Sequence, residues 1–441
     1  MRAAFYTFGC KLNQSESEAL ASSFRNQGFL IAPADQTADI IIINTCTVTS
    51  KSEQKARRII RKYLLEQPEA VILVTGCYAQ LRGDELQNLS EKLIILPHEQ
   101  KDLLLDLPAV LSGKTGVGQV RKELARLRRK ITVSAAGQES SKFRFKAAEY
   151  LFHTRPFLKI QDGCDNTCAY CTVPLARGRS VSQDREALVD QVMQLEAAGY
   201  REIVLTGVNI SLYNSAGSDL ADLLAHIIDA SEKVRIRLSS LEPDGVSEKL
   251  CRVVSSPRIC SHFHLPVQSG SKHILQSMKR RYRPEQVSKA AAMLKSVKGD
   301  PFIAGDVIVG FPGESDADFE ATCSLIENSG FSRLHVFQFS SRPGTAAEGL
   351  NDKIPQRIAK ERSRALMKLS DDLYRDYISR WNGKTGEALV EGDLYGITDN
   401  YLRVILRSDS EEKLKPGVLC RGRLSTAPGN QCILTVSQVL S

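Results

Sequence analysis

Three cysteines, Cys164, Cys168 and Cys171, fall within eight residues of the stretch DGCDNTCAYCTVPLARG, a C-x3-C-x2-C arrangement. Thiolates this close in sequence are ligands for a soft metal. Structural zinc takes a fourth Cys or His nearby, and this stretch offers none. The spacing also departs from the ferredoxin run C-x2-C-x2-C, whose cysteines saturate the irons for electron transfer. Three ligands on a four-iron cluster leave one iron free to bind something else. The bland reading is a chance spacing. A strand pattern before the run, and Tyr170 inside it, favour the metal.

A second set is dispersed. Cys10, Cys46 and Cys77 each close an apolar run, in AFYTFGC, IIIINTC and AVILVTGC. Singly, each reads as a buried filler, the common fate of a free cysteine. Together, at equivalent places in three strand–helix units, they read as three arms of a second cluster site with an open iron. Cys251, Cys260, Cys323, Cys420 and Cys432 have no partner at ligand spacing and read as core. His262 and His264 share one face of a strand, where a hydrogen-bonded pair is favoured over a metal because cysteines already supply the cluster ligands. The glycines of GFPGES lack the lysine and hydroxyl residue of a phosphate loop.

The elements that must position these residues follow from periodicity. Up to about residue 110, strand patterns at 2–9, 38–45, 70–76 and 92–97 alternate with helical ones, which implies a parallel sheet covered by helices. Ligands of such sheets bind beyond the strand carboxyl ends, where Cys10, Cys46 and Cys77 all stand. From Phe157 a second alternating series begins, with strands at 157–161, 201–206, 235–239, 262–267, 303–309 and 332–339. Six such units suggest a partial or full α/β barrel with its chemistry at the strand C-termini. The last stretch, with TGEALVEG, YLRVILRS, VLCRGRL and CILTVSQVL, reads as a small β-barrel. The fold class is therefore α/β. The expected division is an N-terminal sheet domain over 1–112, a basic linker over 113–148, a barrel over 149–382 and a small β-barrel over 383–441.

Charge is unevenly placed. The chain of 441 residues carries +8, yet residues 114–159 alone hold 12 Lys/Arg against 3 Asp/Glu. Smaller knots occur at KARRIIRK (55–62) and KRRYR (279–283). A solvated helix face and a contact for nucleic-acid phosphates both account for such runs. No apolar run approaches the ~18 residues that span a bilayer. The first residues lack a signal-peptide pattern. The expectation is a cytoplasmic protein without a membrane partner, whose cysteines serve metal or redox chemistry.

The C-x3-C-x2-C spacing resembles the radical S-adenosylmethionine superfamily, and GCKLNQSESE, NTCTVTSKSEQKARR and VTGCYAQ resemble its methylthiotransferase family end to end. Within that family they look like the branch acting on N6-threonylcarbamoyladenosine of tRNA, more than the branches acting on isopentenyl-adenosine or on a ribosomal protein. The resemblance implies replacement of the hydrogen on carbon 2 by a methylthio group, with two 4Fe-4S clusters and S-adenosylmethionine as cofactors. Cys164, Cys168 and Cys171 would hold the cluster that generates the 5′-deoxyadenosyl radical, and Cys10, Cys46 and Cys77 the auxiliary one. Thr206 and Gly207 of LTGVNI, Gln268 of HFHLPVQSGS and Ile308 of GDVIVGFPGES would line the cofactor pocket. Arg126, Arg128, Arg129 and Lys130 of the basic segment would hold the anticodon stem-loop, with help from a C-terminal barrel of the TRAM type. A low-potential reductant such as flavodoxin and a sulfur donor are implied as partners. A non-catalytic RNA-binding iron–sulfur carrier is the rival from another class. Departures exist. The superfamily pattern G-x-I-x-G-x-x-E wants glycine at position 306 and glutamate at 313, where this chain has Asp306 and Gly313. Gln338 and Ser341 stand where the family usually shows proline.

Overall fold

The computed structural model describes residues 1–111, 116–133, 141–408 and 414–440, the side chains of 130–133 excepted. The chain forms two compact units. One takes Met1–Phe152 with Gln161–Asn166 and Cys171–Val181; the other takes His153–Ile160, Thr167–Tyr170 and the chain from Ser182 onward.

In the first unit, β1 (Arg2–Thr7), β2 (Leu30–Ala32), β3 (Ile40–Thr45), β4 (Val71–Gly76) and β5 (Ile94–Ile95) form one parallel sheet in the order β2-β1-β3-β4-β5. Every residue of β3 and β4 is buried, which is why both read as unbroken apolar runs. Ile40 and Ile42 enter the core on one face with Leu20 and Phe24, while Ile41 and Ile43 enter the other with Ile60 and Tyr78. The edge strand β2, only three residues long, left no legible pattern in the sequence. The basic stretch expected as a linker contains the helix Val117–Val133, whose Val120, Leu124 and Leu127 are buried in the first of those cores. Residues 112–115 and 134–140, which belong to that stretch and its boundary, lie outside the described residues.

In the second unit, β6 (Phe157–Lys159), β7 (Glu202–Thr206) and β8 (Arg235–Leu238) form one parallel sheet. A second comprises β9 (His262–Gln268), β10 (Phe302–Val309) and β11 (Arg333–Gln338). Parallel bridges at Ile236–Ile259 and Ser240–His264 join them into a six-stranded partial barrel. Helices such as Arg185–Ala197, Leu220–Ala230, Pro284–Lys298 and Asp316–Ser329 lie between the strands. The floor of this barrel carries a buried ion cluster. Glu202 receives Arg235 at 2.7 Å, Arg237 at 2.6 Å and Arg155 at 3.3 Å. Arg237 also donates to the carbonyls of Thr398 and Asp399 at 2.9 Å, tying the floor to the C-terminal strands.

Those strands, β12 (Thr385–Gly392), β13 (Tyr395–Thr398), β14 (Arg403–Arg407), β15 (Leu419–Ala427) and β16 (Gln431–Leu440), close into a barrel in the order β12-β13-β14-β16-β15. Cys420 and Cys432 are core residues there, beside Val404, Leu424 and Leu434. Among the described residues, no helix is long and apolar enough to cross a membrane.

Candidate metal centres

Cys10, Cys46 and Cys77 follow β1, β3 and β4, three neighbouring strands of one parallel sheet. Their approach depends on two glycines. Gly9 has φ of +97°, and a Cβ there would stand 2.7 Å from Cys46 Cβ and 2.9 Å from its Sγ. Gly76, also at φ +97°, would put a Cβ 2.3 Å from the Thr45 carbonyl oxygen. A side chain at either place would push the strand ends apart. Cys46 and Cys77 are buried, Cys10 is exposed, and all three are free thiols. Burial pushes the Cys46 thiol up to about 12, and the charges of Cys10 and Cys77 add to the rise. Burial raises Cys77 too, against the pull of the Arg177 guanidinium. The close contacts of Gly9 with Cys46 and of Gly76 with Thr45 thus make the three strand ends converge, with Cys10 on the exposed side. Unpaired thiols whose buried members resist carrying charge as free thiolates suit a cationic metal centre, so the donor set fits an iron–sulfur cluster.

Beneath them lies a polar network that sequence reasoning missed. Asn13, Glu16, Asn44, Lys101, Asp162 and Arg177 are all buried. Asn44 ends the apolar run of β3 because its side-chain oxygen accepts from Lys101 at 2.9 Å, while its amide donates to the Asn13 carbonyl at 2.9 Å. Asn13 in turn donates to the Phe8 and Thr45 carbonyls at 2.8 and 3.1 Å, joining the ends of β1 and β3. The only signal for this in the sequence is the polar spacing of CKLNQSE on a helix, which reads equally as a solvated face.

The other three cysteines lie on the loop before the short helix Val173–Arg177. Each sulfur receives an N–H donor: Cys164 from the Asn166 amide at 3.4 Å, Cys171 from the Val173 amide at 3.4 Å, Cys168 from the Arg280 guanidinium at 3.1 Å. Donors aimed at sulfur stabilise the thiolate form that a cluster requires. The Arg280 side chain is 6% exposed, paired with Glu242 and stacked 4.7 Å from the Tyr282 ring. Burial lifts the Glu242 carboxyl to about 7, with Arg280 opposing the rise. The KRRYR knot, read as a possible phosphate contact, therefore sends Arg280 inward.

The expected pocket residues stand at strand carboxyl ends. Thr206 is the last residue of β7 and is buried, with Gly207 following it. Gln268 closes β9 with φ of +63°, a left-handed backbone that a non-glycine residue adopts only when its surroundings hold it there. Ile308 packs on the cluster formed by Ala169, Ile274, Met278 and Phe311, so β10 touches the cysteine loop. Glu314, one residue beyond the expected position, is buried, accepts the Gly310 amide at 2.7 Å and pairs with Arg362 at 2.7 Å. Asp306 accepts from His264 at 2.9 Å and His335 at 3.2 Å, and these bonds hold its carboxyl well below the usual range against the cost of burial. His262 instead stacks on Tyr401 with ring centroids 4.0 Å apart, so the two histidines of β9 serve different neighbours. Arg126, Arg128 and Arg129 are exposed on the helix Val117–Val133; the side chain of Lys130 lies outside the described residues.

Comparison with known proteins decides among the readings. Residues 158–326 match the Radical SAM superfamily, and residues 2–96 match a family described as Uncharacterized protein family UPF0004. The chain is 39% identical to the threonylcarbamoyladenosine tRNA methylthiotransferase MtaB of Treponema pallidum (strain Nichols), over 90% of this chain and 92% of that protein. The chain belongs to the methylthiotransferase family of radical S-adenosylmethionine enzymes. It is 35% identical to MtaB of Bacillus subtilis (strain 168), over 92% of this chain and 91% of the relative. A tRNA-2-methylthio-N(6)-dimethylallyladenosine synthase of Chlorobaculum tepidum is 34% identical, over 89% and 88%. Membership brings S-adenosylmethionine and 4Fe-4S clusters as cofactors, and the carrier reading, which has no catalysis, is not favoured.

Proposed function

We propose that this protein replaces the hydrogen on carbon 2 of N6-threonylcarbamoyladenosine, beside the anticodon of tRNA, by a methylthio group. The observation that carries this is the end-to-end match, at 39% identity, to a relative named for that nucleoside. In this reading Cys164, Cys168 and Cys171 hold one 4Fe-4S cluster, and Cys10, Cys46 and Cys77 hold the other. With S-adenosylmethionine bound, the first cluster supplies one-electron cleavage of the sulfonium and hence the means to remove the ring hydrogen. Arg280 orients Cys168 by a direct hydrogen bond and is itself held by Glu242. Thr206, Gly207, Gln268 and Ile308 line the cofactor pocket, the strained backbone of Gln268 fixing where its amide points. Arg126, Arg128, Arg129 and Lys130 meet tRNA phosphates, and the C-terminal barrel, of the TRAM type, adds to that surface. A flavodoxin-class reductant and a sulfur donor complete the reaction, which places the enzyme with its tRNA in the cytoplasm.

The test uses anaerobically reconstituted protein with dithionite, S-adenosylmethionine and threonylcarbamoylated tRNA. The expected products are the methylthio nucleoside, seen by mass spectrometry after digestion, and 5′-deoxyadenosine. 5′-Deoxyadenosine alone, with the methylthio product formed instead on dimethylallylated tRNA, would move the chain to the sister branch. Neither product, from protein holding both clusters, would overturn the proposal.

A further inference from the structure

Arg177 ends the helix that follows the C-x3-C-x2-C loop, and its guanidinium is fully enclosed. One nitrogen, Nη1, donates to Glu16 Oε1 at 3.0 Å and to both Asp162 oxygens at 3.0 and 3.1 Å. The other, Nη2, donates to Asn13 Oδ1 at 2.6 Å and Glu16 Oε2 at 3.3 Å. Asp162 accepts the Gly163 amide at 2.7 Å, so it braces the start of the loop just as Arg177 sits at its exit. Asn13 and Glu16 lie on the first turns of the helix Lys11–Asn26, directly after Cys10. A single side chain therefore bonds the start of the loop to the element that begins at Cys10. The helix Cys77–Leu81 packs against the helix Val173–Arg177.

Electrostatics give this contact a sign. Lys101, also fully buried, pairs with Glu16 and donates to Asn44. Two cations and two carboxylates share the site, with His98 beside Asp162 at 3.9 Å. Burial drives the His98 pKa down to about 4, so it adds no charge at neutral pH. The cluster is neutral as a whole but not symmetric. Lys101 donates to Asn44 Oδ1, the atom that a Cβ on Gly76, just before Cys77, would meet at 2.7 Å, and Arg177 ends the helix that packs on the one starting at Cys77. Glu16 pairs with both cations, and Asp162 pairs with Arg177.

We propose that Arg177 is the positioning residue of the N-terminal cysteine site, a buried fork that locks the cysteine loop to the helix after Cys10 and keeps a cation close to the helix that starts at Cys77, so that a cluster held there is easier to reduce. This rests on the assignment of Cys10, Cys46 and Cys77 as cluster ligands. An aliphatic side chain would fill the volume, and burying three or more charges to do so is costly unless they serve a field or a register.

The test is made in the full-length chain with Cys164, Cys168 and Cys171 changed to Ala, so that only the N-terminal site can load. Iron and sulfide content, then the midpoint potential by EPR-monitored redox titration, are measured for this parent, for Arg177→Met and for Glu16→Gln. Arg177→Met is expected to lower the reduced-to-oxidised ratio about tenfold at the parent midpoint, a shift of about 59 mV to lower potential. Glu16→Gln, which keeps shape and removes an anion paired with the fork, should shift the potential the other way. Opposite signs at full iron content are the signature of charge, since mere loosening would move both variants alike. If Arg177→Met loses iron, Glu16→Gln alone decides: an upward shift supports the proposal and no shift overturns it. A parent that binds no iron would instead overturn the ligand assignment.

Discussion

The two cysteine triads solve one problem by opposite means. Cys164, Cys168 and Cys171 lie within eight residues of one loop, and bringing them together costs little loop-closure entropy. Cys10, Cys46 and Cys77 come to one edge of the sheet because β1, β3 and β4 are parallel neighbours. The local site can persist while the sheet is perturbed, whereas the dispersed one fails with any change of register. Yet an arginine held by carboxylates stands at each: Arg280, paired with Glu242, donates to Cys168, and Arg177, paired with Glu16 and Asp162, ends the helix that packs on the one starting at Cys77. Local spacing gathers the cysteines in one case and topology in the other.

The sharpest break in the comparison is functional. Cys168→Ala should abolish 5′-deoxyadenosine formation, down to the no-enzyme background, and with it the methylthio product. Cys77→Ala should leave 5′-deoxyadenosine formation standing while the methylthio product disappears. Quantifying both small molecules from the same reactions checks this, and equal losses of 5′-deoxyadenosine in the two variants would mean that the triads are not separable.

The next largest effect belongs to a control cluster, Glu202 with Arg155, Arg235 and Arg237, whose described contacts include none of the six cysteines. Glu202→Gln leaves the buried Arg235 and Arg237 without their counter-charge, while Arg155 keeps Glu391 at 2.8 Å, and should cost about 3–5 kcal/mol, with iron content unchanged. Despite burial, the arginines hold the Glu202 carboxyl far below its ordinary value. A depressed folded pKa contributes stability that is full above the unfolded value and is lost as pH falls below it. The gap in unfolding free energy between the native chain and Glu202→Gln should therefore narrow as pH drops from 7 toward 3; a constant gap would show that the charge of Glu202 is not what stabilises the floor.

Gly76→Ala returns to the triads at smaller scale. A left-handed φ costs about 1–3 kcal/mol for a residue with Cβ, and the Thr45 carbonyl at 2.3 Å allows no relief without moving β3. The variant should lose iron from the N-terminal site alone, halving the content of reconstituted protein, while cleavage of S-adenosylmethionine persists. Loss of both clusters would show that the loop triad depends on the sheet after all.

What the sequence disclosed divides along the same line. β3 and β4 were legible because both faces are buried, which leaves no polar interruption. The barrel strands were legible from their alternation with helices. β2 was not, since three residues carry no period. The buried ion networks were the least visible, because Glu16, Lys101 and Arg177 in sequence look like any charged surface residues and only their partners, from three remote segments, make them interior. Arg280 was misplaced for the same reason: a run of basic residues says nothing about which one turns inward. The helix at 117–133 was masked by its composition, where Arg and Lys outnumber the apolar residues at 120, 124 and 127 that seat it.

That helix supports the smallest predicted effect. Its buried stripe joins the core with Leu103, Leu104 and Leu107, and Arg126, Arg128 and Arg129 are exposed, Arg126 pairing loosely with Glu123 at 3.9 Å. Surface pairs of this kind contribute about 0–1 kcal/mol, so changing all three arginines to Glu should leave folding and both clusters intact. If the arginines meet phosphates, the salt dependence of tRNA affinity should flatten by about 1 in log–log slope for each phosphate that the variant no longer neutralises, and affinity near physiological salt should fall about tenfold or more. Cleavage of S-adenosylmethionine without tRNA should not change, because the helix contributes no ligand to either triad. Filter binding across a salt series checks the slope. An unchanged slope would leave the helix as a solvated face and move the search for the RNA surface to the exposed Leu394 and Tyr395 of the C-terminal barrel, where base stacking, insensitive to salt, would be the expected signature.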